Sequence, residues 1–155
     1  MLLEMDRTAL VLVDVQERLT AVMHNQNALL KGLHKIVGGA KALEIPIIWN
    51  EQNPERMGPT VASLREILHP LQPIPKMHFD CCGCESFQSA LKATGRDQLL
   101  IAGIEAHVCI AQTAISLMDA NYHVQVVADA VSSRNPLDQK VAWKKIEFAE
   151  AGAII

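Results

Sequence analysis

Apolar residues fall along this chain in short blocks, and the blocks alternate between a strand period and a helix period. Thr8-Ala-Leu-Val-Leu-Val-Asp14 is a Val-rich run ending on a carboxylate, the pattern of a strand buried on both faces that meets a loop. Leu29, Leu30, Leu33, Ile36, Val37 and Ala40 recur at helical spacing and predict a helix from about Asn25 to Leu43, leading into a strand over Ile45-Pro-Ile-Ile-Trp49. Asn50 to Pro59, with two Pro and a Gly, reads as a loop, and Thr60 to Leu68 as a short helix. Pro73 to Phe79 reads as extended, with Pro73 and Pro75 removing two backbone donors. Further on, the pattern predicts a helix over Glu85 to Thr94 stopped by Gly95, a strand over Gln98 to Ala102, and a helix over Ala106 to Ala120. It then predicts a strand over Tyr122 to Ala128, a helix over Pro136 to Glu150 and a last strand over Ala153 to Ile155.

Strands alternating with helices of this length imply an α/β fold. The expected form is a three-layer α/β/α Rossmann-like arrangement with a mainly parallel six-stranded sheet in the order 3-2-1-4-5-6. A chain of 155 residues buries roughly 70% of the surface its unfolded form exposes, so a core forms without metal or disulfide staples, and 1–155 is expected to be a single domain. Lys plus Arg number 14 against 17 Asp plus Glu, a net charge of −3. That balance argues against nucleic acid or an acidic membrane surface as partner, since both need a basic face. The apolar runs, such as Ala9 to Val13 and Leu99 to Ala102, fall far short of the roughly 18 residues a membrane helix needs. Met1-Leu2-Leu3-Glu4 places no basic segment ahead of an apolar one, so the expectation is no signal peptide, a cytoplasmic location and four Cys held as thiols.

In such a sheet, ligands sit beyond the carboxyl ends of the strands where the strand order reverses. Asp14 closes the first strand and Cys109 follows the fourth, so the expected order makes them neighbours. A Cys in the first turn of a helix meets free backbone N–H groups and the positive end of the dipole, which favour thiolate and can also hold an oxyanion. Read singly, each has a plainer explanation: Cys109 as a buried structural thiol, Asp14 as the cap of a turn, Lys76 as a solvated side chain. Together, a carboxylate beside a thiol can take its proton where a cation offsets the charge. Cys81, Cys82 and Cys84, with His78 nearby, offer soft ligands at a C-x-x-C spacing. A structural zinc wants four ligands, usually as two such pairs, and there is no second pair, so these read as loop thiols open to oxidation. His107 lies two positions from Cys109, and side chains two apart on a helix point in different directions, which favours a wall residue over a base.

Leu12-Val-Asp14-Val-Gln16, Pro75-Lys76 with Phe79, and Gly103-Ile-Glu-Ala-His-Val-Cys109 with Gln112-Thr113-Ala114 resemble the signature blocks of the isochorismatase-like cysteine hydrolases. That superfamily includes nicotinamidases and N-carbamoylsarcosine amidohydrolases, and Asp129-Ala-Val-Ser-Ser-Arg134 resembles its segment after the fifth strand. The resemblance implies a catalytic triad of Asp14, Lys76 and Cys109. It also implies a cis peptide at Ile104-Glu105 and an oxyanion hole from the backbone N–H groups of Glu105 and Cys109. The implied reaction is cleavage of a small amide or carbamoyl compound through a Cys109 thioester, with Asp14 shuttling the proton. Gln16, Leu19, Trp49 and Glu51 are the expected substrate-binding residues, although Trp49 can equally be a packing residue. Metal-dependent nicotinamidases carry an Asp and several His beside the second strand, where this chain has Asn50-Glu51-Gln52-Asn53. The expectation is therefore no metal and no cofactor. True isochorismatases lack the nucleophilic Cys, so Cys109 argues against their vinyl-ether chemistry. The resemblance further implies a small-molecule substrate and a homo-oligomer, dimer or higher. The alternative is a catalytically idle scaffold or interaction protein on the same fold.

Overall fold

The computed structural model describes residues 2–149 and the backbone of 152–154. In chain order its elements are β1 (Thr8–Val13), α1 (Glu17–Thr20), α2 (Gln26–Ala42), β2 (Ile47–Gln52), α3 (Pro54–Met57), α4 (Ala62–Leu68) and β3 (Ile74–Lys76). They continue with α5 (Glu85–Thr94), β4 (Gln98–Ile104), α6 (Ala111–Asp119), β5 (His123–Ser132), α7 (Pro136–Phe148) and β6 (Gly152–Ile154). A 3-10 turn over Cys81–Gly83 precedes α5, and a π-helical turn over Ala106–Ile110 runs directly into α6.

β1 sets the layering. All six of its residues are buried, and their side chains alternate between two apolar layers. Leu10 and Leu12 pack with Leu29, Leu33 and Val37 of α2 and with Leu64 and Leu68 of α4. Ala9, Val11 and Val13 pack with Phe87 and Leu91 of α5, Ala114 and Leu117 of α6, and Ala142 and Ile146 of α7. The sheet between these layers has six strands in the order β3-β2-β1-β4-β5-β6, and every pairing is parallel. The α/β class and the strand order are those expected. Among the described residues no helix is long and apolar enough to cross a membrane.

Several boundaries differ from the sequence reading, chiefly at the carboxyl ends of strands. β2 does not stop at Trp49: Asn50, Glu51 and Gln52 stay in the sheet because Ile74, Pro75 and Lys76 pair with them, and the expected loop then folds into α3. β3 is only three residues long, an edge position that tolerates Pro75. β4 continues to Ile104 and β5 to Ser132, so Asp129 to Arg134 is mostly strand and not a segment after it. α7 ends at Phe148; Glu150 and Ile155 lie outside the described residues.

Two glycines allow close approaches that hold the site end of the sheet. Between Ile101 and Gly103 the β4–β5 register jumps, β5 advancing from Val126 to Val131. The resulting bulge brings the Asp129 carbonyl onto α2, where a Cβ on Gly32 would lie 1.9 Å from it. Gly103 has φ +125°, and its Cβ would lie 2.0 Å from the carbonyl oxygen of Val13, the residue before Asp14. Gly103→Ala is expected to cost about 3 kcal/mol or more. Gly39→Ala on α2, with nothing within 4 Å of its Cβ, is expected to gain about 0.5–1 kcal/mol. Urea denaturation of the two variants against wild type checks both signs.

Candidate active site

Asp14 is the first residue beyond β1 and turns the chain in the left-handed region at φ 55°, with its N–H on the Asn50 carbonyl at 3.2 Å. Lys76 closes β3, two strands away, and its side chain reaches under β2. Its Nζ donates to Asp14 Oδ2 at 2.8 Å, Gln52 Oε1 at 2.8 Å, the His78 carbonyl at 2.9 Å and the Phe79 carbonyl at 3.2 Å. The chain folds back after Lys76, so its own next carbonyls complete the cage. Both partners of the Asp14–Lys76 pair have no exposed side-chain surface. Cys109 is buried in the π-helical turn after β4, and its thiol faces the Asp14 carboxylate closely enough for each to shift the other's titration. The structure therefore brings Asp14, Lys76 and Cys109 together.

The electrostatics follow from that burial. Desolvation pushes the Asp14 carboxyl above the ordinary carboxylate range, and the Lys76 charge and hydrogen bond pull back against it. Burial works against the Lys76 ammonium, but Asp14 outweighs it and the group is held above its usual value. Burial and then the Asp14 charge drive the Cys109 thiol well up, with Lys76 opposing. The resting sulfur is a thiol beside a carboxylate, which corrects the expectation that the helix start favours thiolate.

The Ile104–Glu105 peptide bond is cis. The Glu105 carboxylate is held by Arg134, whose NH2 lies 2.8 Å from Oε1 and whose backbone N–H lies 3.1 Å from Oε2. Burial works against the ionised Glu105, yet the Arg134 side-chain and backbone hydrogen bonds prevail and keep it below the usual range.

A cavity of about 330 Å³ opens onto these groups. Asp14, Ile104, Glu105, Val108 and Cys109 form its inner wall, and Leu19, Gln52, Asn53, Arg56, Met57, Phe79 and Arg134 the outer one. Of the expected substrate-binding residues, Leu19 lines this cavity and Gln16, Trp49 and Glu51 do not. Gln16 is fully buried and binds main chain, donating to the Gln52 and Gly58 carbonyls and accepting the Gln52 N–H, each at 2.8 Å. Trp49 and Glu51 face the α2–α4 layer, where Trp49 Nε1 donates to Thr60 Oγ1 and Glu51 Oε1 accepts the Thr60 N–H and hydroxyl. His107 is likewise elsewhere, with Nδ1 2.8 Å from Ser133 Oγ.

Sequence reasoning did not single out Gln52, Asn53, Arg56 and Met57, although all four fall within the Asn50 to Pro59 segment, where specificity was expected to sit. Gln52 had a signal in strand alternation, since it shares parity with Ile48, which faces the Cys109 layer. Cys81 is buried and its N–H donates to Thr113 Oγ1 at 3.0 Å, while Cys82 and Cys84 are partly exposed; all four Cys are free. Among the described residues no group of three or more His, Cys, Asp or Glu is placed to hold a metal ion.

Comparison with known proteins adds to this geometry. The family described as the isochorismatase domain matches residues 8–155. Isochorismatase domain-containing protein 2 of Danio rerio is 36% identical over 140 residues, covering 90% of this chain and 70% of that protein. Curated relatives differ in how much of their length the chain spans, from 49% to 71%. Among solved structures, the MAR1 ribonuclease of Caenorhabditis elegans superposes with a TM-score of 0.91 at 33% identity, covering 98% of this chain and 78% of that one. The YcaC gene product of Escherichia coli, described as an octameric hydrolase of unknown specificity, gives a TM-score of 0.94 at 28% identity, with 98% and 76% covered.

Two measurements test the electrostatics. Lys76→Met leaves Asp14 buried without its cation and is expected to cost about 3–5 kcal/mol at pH 8. Asp14→Asn in the same chain is expected to restore most of that, as a double-mutant cycle in urea will read. Burial also pushes the Cys81 thiol up to about 12 from 9.0. Its contribution is complete below pH 9 and is lost as pH rises toward about 12, because the unfolded chain releases the proton first. The urea midpoint is expected to fall from pH 8 to pH 10.5, and to fall less in Cys81→Ala.

Proposed function

This chain belongs to the isochorismatase family, and on that footing we propose that it is a hydrolase that opens a non-peptide C–N bond of a small amide or carbamoyl compound. The reading treats residues 1–155 as one hydrolase domain. The observation that carries it is a single buried carboxylate, Asp14, held between the Lys76 ammonium and the Cys109 thiol at the wall of a cavity.

In the first half of the reaction, Asp14 accepts the Sγ proton as the sulfur bonds to the substrate carbonyl carbon. The carbonyl oxygen takes up the negative charge and receives the backbone N–H groups of Glu105 and Cys109. Asp14 then passes its proton to the leaving nitrogen, the C–N bond breaks, and a thioester on Cys109 remains. In the second half, Asp14 takes a proton from water, the hydroxide adds to the thioester carbon, and the C–S bond breaks. The proton returns from Asp14 to sulfur, so the acid product leaves and the starting thiol is restored. Lys76 keeps Asp14 ionised between these transfers. Because the thiol is protonated at rest, proton transfer belongs to the attack itself.

The nematode relative's name suggests RNA as another substrate. The net charge of −3 on this chain and the absence of any His among the described residues of the cavity walls favour the amide reading. The octameric E. coli relative supports a homo-oligomer.

The test is a panel of small primary amides and carbamoyl compounds, with RNA as a further arm, against wild type, Cys109→Ala and Asp14→Asn. Turnover of at least one C–N compound is expected in wild type, with kcat/KM down about 10³-fold or more in Cys109→Ala. In Asp14→Asn both acylation and thioester hydrolysis are expected to slow, with intact-mass spectrometry reading the adduct on Cys109. Amide turnover surviving Cys109→Ala, or cleavage of RNA alone, removes the proposal.

A further inference from the structure

We infer that the substrate of this site carries a carboxylate, bound by the Arg56 guanidinium together with the side-chain NH2 of Gln52. The inference rests on the amide-hydrolase reading above and adds to it the class of compound. The charged groups of the cavity do not cancel. Asp14 is matched by Lys76, and Glu105 by Arg134, whereas the Arg56 guanidinium has no partner among the described residues.

Gln52 adds a donor of fixed direction. Lys76 Nζ can only donate, so at 2.8 Å it must face the amide oxygen of Gln52, and the NH2 group is left on the other side. Gln52 lines the cavity, and among the described residues its NH2 group meets no acceptor. The carboxylates that line the cavity, Asp14 and Glu105, each face a cation of their own, so the unmatched charge of the lining is positive, and an anion finds two donors at Arg56 and Gln52. Both are held from behind. Gln52 has its N–H and carbonyl fixed by Gln16, and α3 has the Arg56 carbonyl bound by Arg18 at 2.7 Å. The Gln52 amide is thereby a preorganised donor, and the Arg56 guanidinium adds the charge that pairs with a planar oxyanion.

Two thiol reagents differing at one end test this without a known substrate: N-iodoacetylglycine, which ends in a carboxylate, and N-iodoacetylglycinamide, which ends in a neutral amide. Second-order labelling rates of Cys109 are read by peptide mass spectrometry, with glutathione as the free-thiol reference. The expected result is that the anionic reagent is favoured at Cys109 by about tenfold over its ratio at glutathione. That preference should saturate with reagent, collapse toward the glutathione ratio in Arg56→Gln, and be lost in Gln52→Glu, where an acceptor replaces the donor. A Cys109 ratio equal to that of glutathione overturns the inference and leaves the nucleophile intact. A preference that persists in Arg56→Gln overturns the assignment to Arg56. No labelling of Cys109 by either reagent in wild type removes the nucleophile, and the inference with it.

Discussion

Two ionised side chains with no exposed surface meet at the carboxyl end of the sheet, and much of the surrounding architecture follows from that pair. Taking a carboxylate and an ammonium out of water costs several kcal/mol for each ion. The cost is offset only where the remaining donors and acceptors are satisfied. Lys76 meets four oxygens, which fixes the turn at His78 and Phe79, the side chain of Gln52 and the position of Asp14 together. An edge strand of three residues would ordinarily be a weak element. β3 is held because its last side chain runs under β2 into the end of β1, and the pair therefore ties three parallel strands as well as the site.

The same burial decides where the proton rests. Asp14 gives Oδ2 to Lys76, while Oδ1 meets no nitrogen or oxygen donor. The carboxylate is thus stabilised on one side and under-solvated on the other, beside a thiol that burial and its charge keep protonated. A thiol in that state is a poor nucleophile toward solvent oxidants, since reactivity follows the thiolate. The arrangement keeps the sulfur quiet at rest and sets a carboxylate beside the protonated thiol.

The alternation of apolar blocks was enough to read the α/β class, and strand ends set Asp14 beside Cys109 once the strand order was expected, whereas Lys76 and the three residues as a set came from the resemblance to the isochorismatase-like hydrolases. The rest was hidden for identifiable reasons. Asn50, Glu51 and Gln52 look like loop residues, and their pairing with Ile74, Pro75 and Lys76, 24 residues further along the chain, together with that of Asn50 with Val13, keeps them in the sheet. Trp49 and Glu51 were plausible pocket residues by position, but their parity turns them into the α2–α4 layer, where Thr60 satisfies both. Arg56 carries no local pattern, since a single exposed Arg on a four-residue helix has no periodic signature. The bulge in β5 left no mark either, because Asp129 and Ala130 accommodate it against Gly32 through backbone contact.

Gln16 grips the cavity's outer wall entirely through main-chain atoms, at Gln52 and at Gly58. Side chains between those two clamps are therefore released from any duty to hold the loop in place. Arg56 and Met57, unlike Asn53 at φ 35°, face no backbone demand on their identity. In such a scaffold the groups that face the cavity and those that hold its backbone are different ones, so the lining can change by single substitutions without rebuilding the loop.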